Sequence, residues 1–597
     1  MKRNLHKIIL LTIVFQLGLQ GISNAQVVSD KNELAEAINN ASAGTEIVLA
    51  DGTWTDVNIS IDVEATENQP VVISAETAGD VFFEGNSQIE IGGAHIIFQG
   101  VIFRNPSGLI VNNDRIDPII SFRANGNECD DCIVTNIKIE DYNGTSAQEE
   151  AVFKWILVYG FRNEISYSSF VGKHGVGSII NHNRNDGEAD RTSIHHNYFA
   201  DRTPVGEFNE LNDQDAIRLG NSSTSLSESF SEVYENYFHN FSGEIEIISN
   251  KCGGNKYFNN TFRDYQGSLT LRHGNNCEVY GNFFFAENNS TTAGIRVIGE
   301  GHKIYNNYIE GVNSRKAGGS LSGATGGINI SNGRPNTALN GYFTVKDTEI
   351  VHNTFVNCDY AIRVGTTVSS NLTLPPENVE ISNNVMVNSS SSAFLIQTNG
   401  NNAFSASGNI TENGDWDLAT NVNNNVVANS DLLTEEQEFF RVADGSVLIN
   451  AGIGSFDYLA TDILGGDRDT APDAGAEEFG AAGERLPFTD ADVGVNVGFG
   501  ANLPDNPDPG VVASVFDEKD VNDQIVLYPN PAVNKVVSFK SDQPILEEVV
   551  IFDNSGKRLK QQVFTIDNQS IDLRGFESGV YLITIPSNQF QKLVIIN

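Results

Sequence analysis

Residues 243–274 read GEIEIISNKCGGNKYFNNTFRDYQGSLTLRHG. Two short alternating segments, Glu244-Ile-Glu-Ile and Ser268-Leu-Thr-Leu, flank Asn260-Thr-Phe, and both kinds of element recur along the chain. The alternating segment returns as Gly294-Ile-Arg-Val, Gly327-Ile-Asn-Ile and Ala361-Ile-Arg-Val. The asparagine unit recurs at Asn197, Asn236, Asn260, Asn282, Asn307, Asn353 and Asn384, at offsets of 39, 24, 22, 25, 46 and 31 residues. A basic period in the twenties with insertions is the mark of a solenoid. Period-two alternation makes each unit a strand with one buried face, and the near absence of helical patterns excludes helical and leucine-rich repeats. The expected architecture is all-β: a right-handed parallel β-helix followed by a small C-terminal β-sandwich domain.

Stacking the alternating segments places Ile245, Leu269, Ile295, Ile328 and Ile362 in one interior ladder. The outward ladder is then Glu246, Thr270, Arg296, Asn329 and Arg363, rising about 4.8 Å per coil, with Arg218 preceding Glu246. An open solenoid needs caps. Ser29-Asp30 before Lys31-Asn-Glu-Leu-Ala-Glu-Ala-Ile reads as a capped amphipathic helix that closes the first coil, followed by the strand Glu46-Ile-Val-Leu-Ala. The repeats fade after about residue 400, and residues 465–479 read as the closing segment.

The chain has 597 residues and a formal charge of -40. Residues 1–25 have a basic start, an apolar run from Ile8 to about Ile22 and a small-residue end, the pattern of a cleaved secretory signal. Their loss would leave a still more acidic protein, which excludes nucleic acid as partner and disfavours a polyanion unless local cations receive it. Export permits disulfides among Cys129, Cys132, Cys252, Cys277 and Cys358. Cys129-Asp-Asp-Cys132 reads as a local disulfide or structural thiols, since no second pair completes a zinc site. Cys252 and Cys277 lie one coil apart, and a bridge or two buried thiols fit equally; Cys358 has no obvious mate.

The β-helix is assigned to residues 26–485, a linker rich in Asp, Asn, Pro and Gly to 486–519, and a small β domain to 520–597. In the last, Tyr528-Pro-Asn-Pro-Ala, Gly556-Lys, Gly579-Val-Tyr-Leu-Ile-Thr-Ile and Lys592-Leu-Val-Ile-Ile-Asn resemble the C-terminal sorting domain of type IX secretion substrates in Bacteroidota. That resemblance implies engagement of secretion machinery, a secreted or cell-surface location and no part in catalysis. A carbohydrate-binding module is the alternative.

Glu244 and Glu246 point the same way from one strand, about 6 to 7 Å apart. Like charges so placed repel unless a cation joins them, and hard oxygen ligands favour calcium; Asn212, one coil earlier, could add a carbonyl oxygen. The bland reading is two solvated surface glutamates. Lys251 and Arg272 weigh against it, because eliminative cleavage of an acidic polysaccharide needs charge neutralisation, a base and an acid together.

The order Asn212, Glu244-x-Glu246, Lys251, Arg272-His273 and Arg296 on a capped β-helix resembles polysaccharide lyase family six, the alginate lyases and chondroitinase B, over roughly residues 26–480. The resemblance implies Ca2+ at Asn212, Glu244 and Glu246, Lys251 as Brønsted base, Arg272 as acid, and His273 and Arg296 as substrate contacts. It implies a secreted, calcium-dependent alginate lyase acting by β-elimination on an anionic polysaccharide. The chain carries one such β-helix, lacking the second helical domain of some members, and a monomer is expected. The competing readings are a chondroitinase B-like lyase on dermatan sulfate and a non-catalytic glycan-binding surface β-helix. Calcium-binding and arginine motifs of a pectate lyase are not evident.

Overall fold

The computed structural model describes residues 25–500, apart from 185–186, 399–403, 420–422, 430 and 437–438, together with the strands and a few adjoining residues within 526–597. The signal-peptide assignment lies outside the described residues. The chain divides into two compact units, Met1–Val512 and Ala513–Asn597.

The first unit is a parallel β-helix of three long sheets. One coil shows the plan. Glu232–Tyr234 lies in the first flank, Tyr237–Phe241 in the second flank and Glu246–Lys251 in the sheet that floors the groove described below. Each strand pairs in parallel with its counterpart one coil on: Lys256–Phe258, Thr261–Tyr265 and Gly267–His273.

The recurring asparagines form a buried ladder at the corner between the two flanks. Each side-chain amide donates to the carbonyl oxygen of the next, from Asn197 through Asn236, Asn260, Asn282 and Asn307 to Asn353 and Asn384, at 2.9 to 3.0 Å. The same oxygen accepts from the preceding backbone, as where Asn236 N donates to Asn260 Oδ1 at 3.1 Å. The residue before each ladder position is left-handed, among them Glu235 at φ 54°, Asn259 at φ 55° and Gly281 at φ 66°. This turns the chain sharply and aims backbone groups inward, where each would cost about 1–3 kcal/mol if left unpaired. Two residues on, Phe199, Phe238, Phe262 and Phe284 stack inside with centroids 4.5 to 4.8 Å apart.

At the N-terminus the helix Lys31–Asn39 is capped by Asp30, whose carboxylate accepts from the amides of Asn32 and Glu33. Cys129 and Cys132 form a disulfide, while Cys252, Cys277 and Cys358 are buried free thiols.

Three expectations change. Ile248, not Ile245, stacks on Leu269, and Ser249 stacks on Thr270 and Arg218. The cause is a bulge: Ile247 and Ile248 are both fully buried, so Glu246 falls outside the expected column and pairs with Ser268. Ile245 is half-buried beside the groove. Second, residues 465–479 close the flank rather than the end. Ala476 joins a cluster with Phe283, Phe285, Tyr308, Val356 and Phe439 on the second flank, and Ala476 N donates to Thr354 Oγ1.

Third, the described part of the expected linker, residues 486–500, is a strap bound to successive coils. Phe488 N donates to Thr261 Oγ1, Gly494 N to the His196 carbonyl, Val495 N to Ser169 Oγ and Gly500 N to Asn136 Oδ1. The strap therefore runs against the direction of coil addition, tying coils distant in sequence. A protein ending at residue 500 should keep the thermal midpoint of the full-length chain, whereas one ending at residue 485 should unfold several degrees lower, measured by calorimetry.

In the second unit, Val526–Tyr528, Val536–Lys540 and Ser570–Asp572 form one antiparallel sheet. Arg558–Val563, Glu548–Phe552, Gly579–Ile585 and Gln589–Ile595 form another.

Candidate active site

The bulge that displaces Glu246 also shapes the groove. Gly243, at the entry to this strand, approaches the coil below so closely that a Cβ there would lie 2.3 Å from the Gln214 carbonyl. Gly267, one coil on, is left-handed at φ 104°, and a Cβ there would meet the Glu244 carbonyl at 2.7 Å. Only glycine allows these approaches, and between them Glu244 is held with its Oε1 accepting from Gln214 N at 3.1 Å.

The groove has a volume of about 740 Å³, and all seven side chains expected from the sequence line it: Asn212, Glu244, Glu246, Lys251, Arg272, His273 and Arg296. Glu246 is the hub. Its Oε2 accepts from Ser249 Oγ at 2.5 Å, and its Oε1 lies 3.6 Å from both Arg272 Nε and Arg296 Nη1. Glu244 lies 3.7 Å from Arg218 Nη2, and Arg218 also pairs with Asp213 and Asp215.

Burial and charge set the proton affinities. Burial first, and then Arg218, push the Lys251 amine below the usual lysine range, against the pull of Glu246, Asp215 and Asp213. His273 is pushed down to about 3 by burial and by Arg272, Lys251 and Arg296, so its ring is neutral at ordinary pH. Burial lowers Arg272 as well, opposed by Glu246. Burial pushes the Glu244 carboxyl up, and Asp215 and then Glu246 add to this. Burial also works against the Asp215 carboxylate, but Arg218, a hydrogen bond with Glu244 and the charge of Lys251 together hold that group low.

Several groove residues were not singled out from sequence. Asp213 and Asp215 stand beside Asn212, and their signal was the density of polar residues in Asn212-Asp-Gln-Asp. Asn340, Gly341 and Tyr342 come from an insertion between the strands Gly326–Ser331 and Glu349–Val351, whose signal was the 46-residue spacing from Asn307 to Asn353. Arg272 donates to the carbonyls of Gly341 at 2.9 Å and Asn340 at 3.2 Å, and Tyr342 OH accepts from Arg296 at 2.5 Å.

A calcium ion prefers about six to eight hard oxygens. Asn212, Glu244 and Glu246 offer an amide and two carboxylates on one groove, and the buried Asp215 carboxyl shares its site with that of Glu244. The chemistry of the donors fits calcium. Among the described residues, no group of three His, Cys, Asp or Glu side chains converges on a metal position, so water and substrate oxygens would have to complete the shell.

The chondroitinase B family profile matches residues 28–453, which spans the coils and every groove residue above. The chain belongs to the chondroitinase B family. A secretion system C-terminal sorting domain matches residues 526–597, and it marks this family member as an exported protein, secreted or held at the cell surface. No curated protein matches the chain. Among solved structures, the PL6 family alginate lyase AlyGC is 28% identical over 69% of this chain and 54% of its own, with a TM-score of 0.62. A point mutant of AlyGC aligns at 26% identity over 79% of this chain and 58% of its own, with a TM-score of 0.65. This chain thus spans little more than half the length of those two. A mannuronic acid specific polysaccharide family 6 lyase from human gut microbiota shares the fold, at 24% identity over 65% of this chain and 86% of its own, with a TM-score of 0.56.

Proposed function

We propose that this protein is an exported polysaccharide lyase that cleaves alginate by β-elimination with calcium as cofactor. The observation that carries the reading is the convergence of Lys251, Arg272, His273 and Arg296 on the Glu244-x-Glu246 strand in one groove. The similarity to AlyGC supports alginate as the substrate. The groove also answers the objection raised by the acidic chain, because Arg218, Lys251, Arg272, Arg296 and Lys316 line it and give a polyanion a local cationic seat.

Elimination begins with removal of the proton on the carbon next to the uronate carboxylate. In this reading Lys251 accepts it, since burial and Arg218 favour its neutral form. Neutral His273 and buried Arg296 hold and orient the sugar. Asn212, Glu244 and Glu246 would hold calcium, which supplies charge neutralisation at the substrate carboxylate.

Dermatan sulfate is the second substrate reading, favoured by the chondroitinase B family match and by the same cations. The test is to incubate the purified protein with alginate, with defined mannuronate and guluronate blocks and with dermatan sulfate, following the ultraviolet absorbance of the unsaturated uronate product. Alginate should give the strongest signal. Product from dermatan sulfate alone would move the assignment to a chondroitinase, and no product from any uronate polymer would leave a glycan-binding β-helix.

A further inference from the structure

In a chain with 77 acidic and 37 basic residues, a half-buried cation with no carboxylate against it stands out. Lys154 is such a cation. Its Nζ donates to Asn181 Oδ1 at 2.7 Å, and among the described residues no carboxylate oxygen lies within 4.0 Å of it. The lysine immediately precedes the floor strand Ile156–Val158, which pairs in parallel with Ile180–His182 on the next coil. That strand pairs in turn with Ile217–Leu219 and sets Asn181 beside Arg218, a residue that lines the groove. Asn181 and Lys154 therefore continue the floor one and two coils beyond Arg218 toward the N-terminus. Lys154 stands three coils from the strand of Lys251, about 14 Å along the stack, out of reach of the reacting carbon.

The surrounding charges sharpen the lack of a counter-ion. Burial first, then Arg218 and Arg115, push the Lys154 amine down to about 8, against the pull of Asp213 and Asp215. Both of those carboxylates are already paired with Arg218. Like charges gathered in one place repel unless an opposite charge joins them. An anion arriving from outside would do so, and the donors to receive it are present. An ammonium carries three N–H groups, of which Asn181 uses one. The Asn181 amide nitrogen, beside it, makes no hydrogen bond among the described residues, because only its oxygen is engaged by the lysine.

We propose that Lys154 and Asn181 form a subsite for a uronate carboxylate of the bound polysaccharide, on a sugar further along the chain than the unit being cleaved. The inference deepens the elimination reading above and rests on it. A chain of acidic sugars presents carboxylates at intervals, so one seated at Lys251 carries others along the floor. Arg218 and then Lys154 meet them in succession on the same sheet.

Lys154→Met keeps the length of the side chain and removes its charge. It is to be assayed in the full-length protein on the polymer that the wild type cleaves and on oligouronates of graded length. On the polymer, KM should rise about tenfold, the usual size of one hydrogen bond to a charged group, with kcat within a few-fold of wild type. The rise should shrink as the substrate shortens, because a short chain held at Lys251 does not span three coils. Lys154→Arg should restore KM. Asn181→Asp tests the same site differently: it leaves the lysine in place, gives it a carboxylate from the protein and should raise KM on the polymer as Lys154→Met does. Thermal midpoints establish that each variant is folded. A polymer KM within twofold of wild type in Lys154→Met, or in Asn181→Asp should the first variant not fold, would overturn the proposal. So would an equal rise at every substrate length, which would reduce Lys154 to a support for Arg218. If the wild type yields no unsaturated product from any polymer, the elimination reading falls and the subsite with it, and this is visible before any variant is compared.

Discussion

Lys251→Ala is expected to abolish formation of the unsaturated product while leaving the thermal midpoint unchanged. Lys251 is half-buried at the end of the floor strand Glu246–Lys251, and its backbone pairs with His273 whatever its side chain, so truncation leaves the coil intact. The loss should be about 10²- to 10⁴-fold, the usual range for a positioned base. The pH dependence follows from the same surroundings. A base must be neutral to act, so activity should rise with pH and level off above the pKa of the amine. Burial and Arg218 lower that pKa, so the plateau should be reached below the ordinary lysine range. Steady-state rates over a pH series measure both effects. More than a few per cent of wild-type activity in Lys251→Ala would remove it from the role, and the base would have to be sought among the other groups of the groove.

Removal of calcium is expected to be nearly as severe. Burial together with Asp215, and then Glu246, drives the Glu244 carboxyl toward its protonated form. Chelation should therefore cut turnover by at least an order of magnitude. Calcium should restore it better than magnesium, which keeps its water shell and tolerates irregular oxygen sites poorly. Because binding must displace the proton on Glu244, calcium affinity measured by calorimetry should weaken as pH falls. Calcium should also raise the thermal midpoint, since the folded chain presents these ligands together. Full activity after exhaustive chelation, with no metal found by elemental analysis, would return the two glutamates to an ordinary ion-pair network with Arg218, Arg272 and Arg296.

The coil register shows where sequence reading stops. Alternation from Leu269 onward predicts the floor sheet correctly: Leu269, Ile295, Ile328 and Ile362 stack in order, with Thr270, Arg296, Asn329 and Arg363 alongside. The coil carrying Glu246 breaks the rule. In Glu244-Ile-Glu-Ile-Ile-Ser strict alternation faces Ile245 and Ile247 inward, and the rule fails because the bulge buries Ile247 and Ile248 together. The pairing of Ile248 with Ile217 on one side and Leu269 on the other sets the register instead. The spacing of Cys252 and Cys277 was ambiguous, and both remain thiols.

Local chemistry determined the coil itself. A left-handed residue followed by Asn, then an inward aromatic two positions on, specifies a corner whose buried amides satisfy one another, and the repetition of that unit specifies a stack. The seven groove residues were legible by their order, which the resemblance supplied: Glu246, Lys251, Arg272, His273 and Arg296 lie on the floor strands, with Asn212 and Glu244 just before Ile217–Leu219 and Glu246–Lys251, so linear order maps onto position along the solenoid. Tertiary structure alone decided what the insertions do. The 340–342 segment reaches back about 70 residues to Arg272, and the strap at 486–500 returns more than 200 residues to Thr261 and beyond. Contacts over such separations depend on how a loop with no periodicity folds over a surface already built. The long spacing from Asn307 to Asn353 marked an insertion but not where Tyr342 would bind, and the strap left no repeat, whereas repeated pairing between neighbouring coils is written in every period.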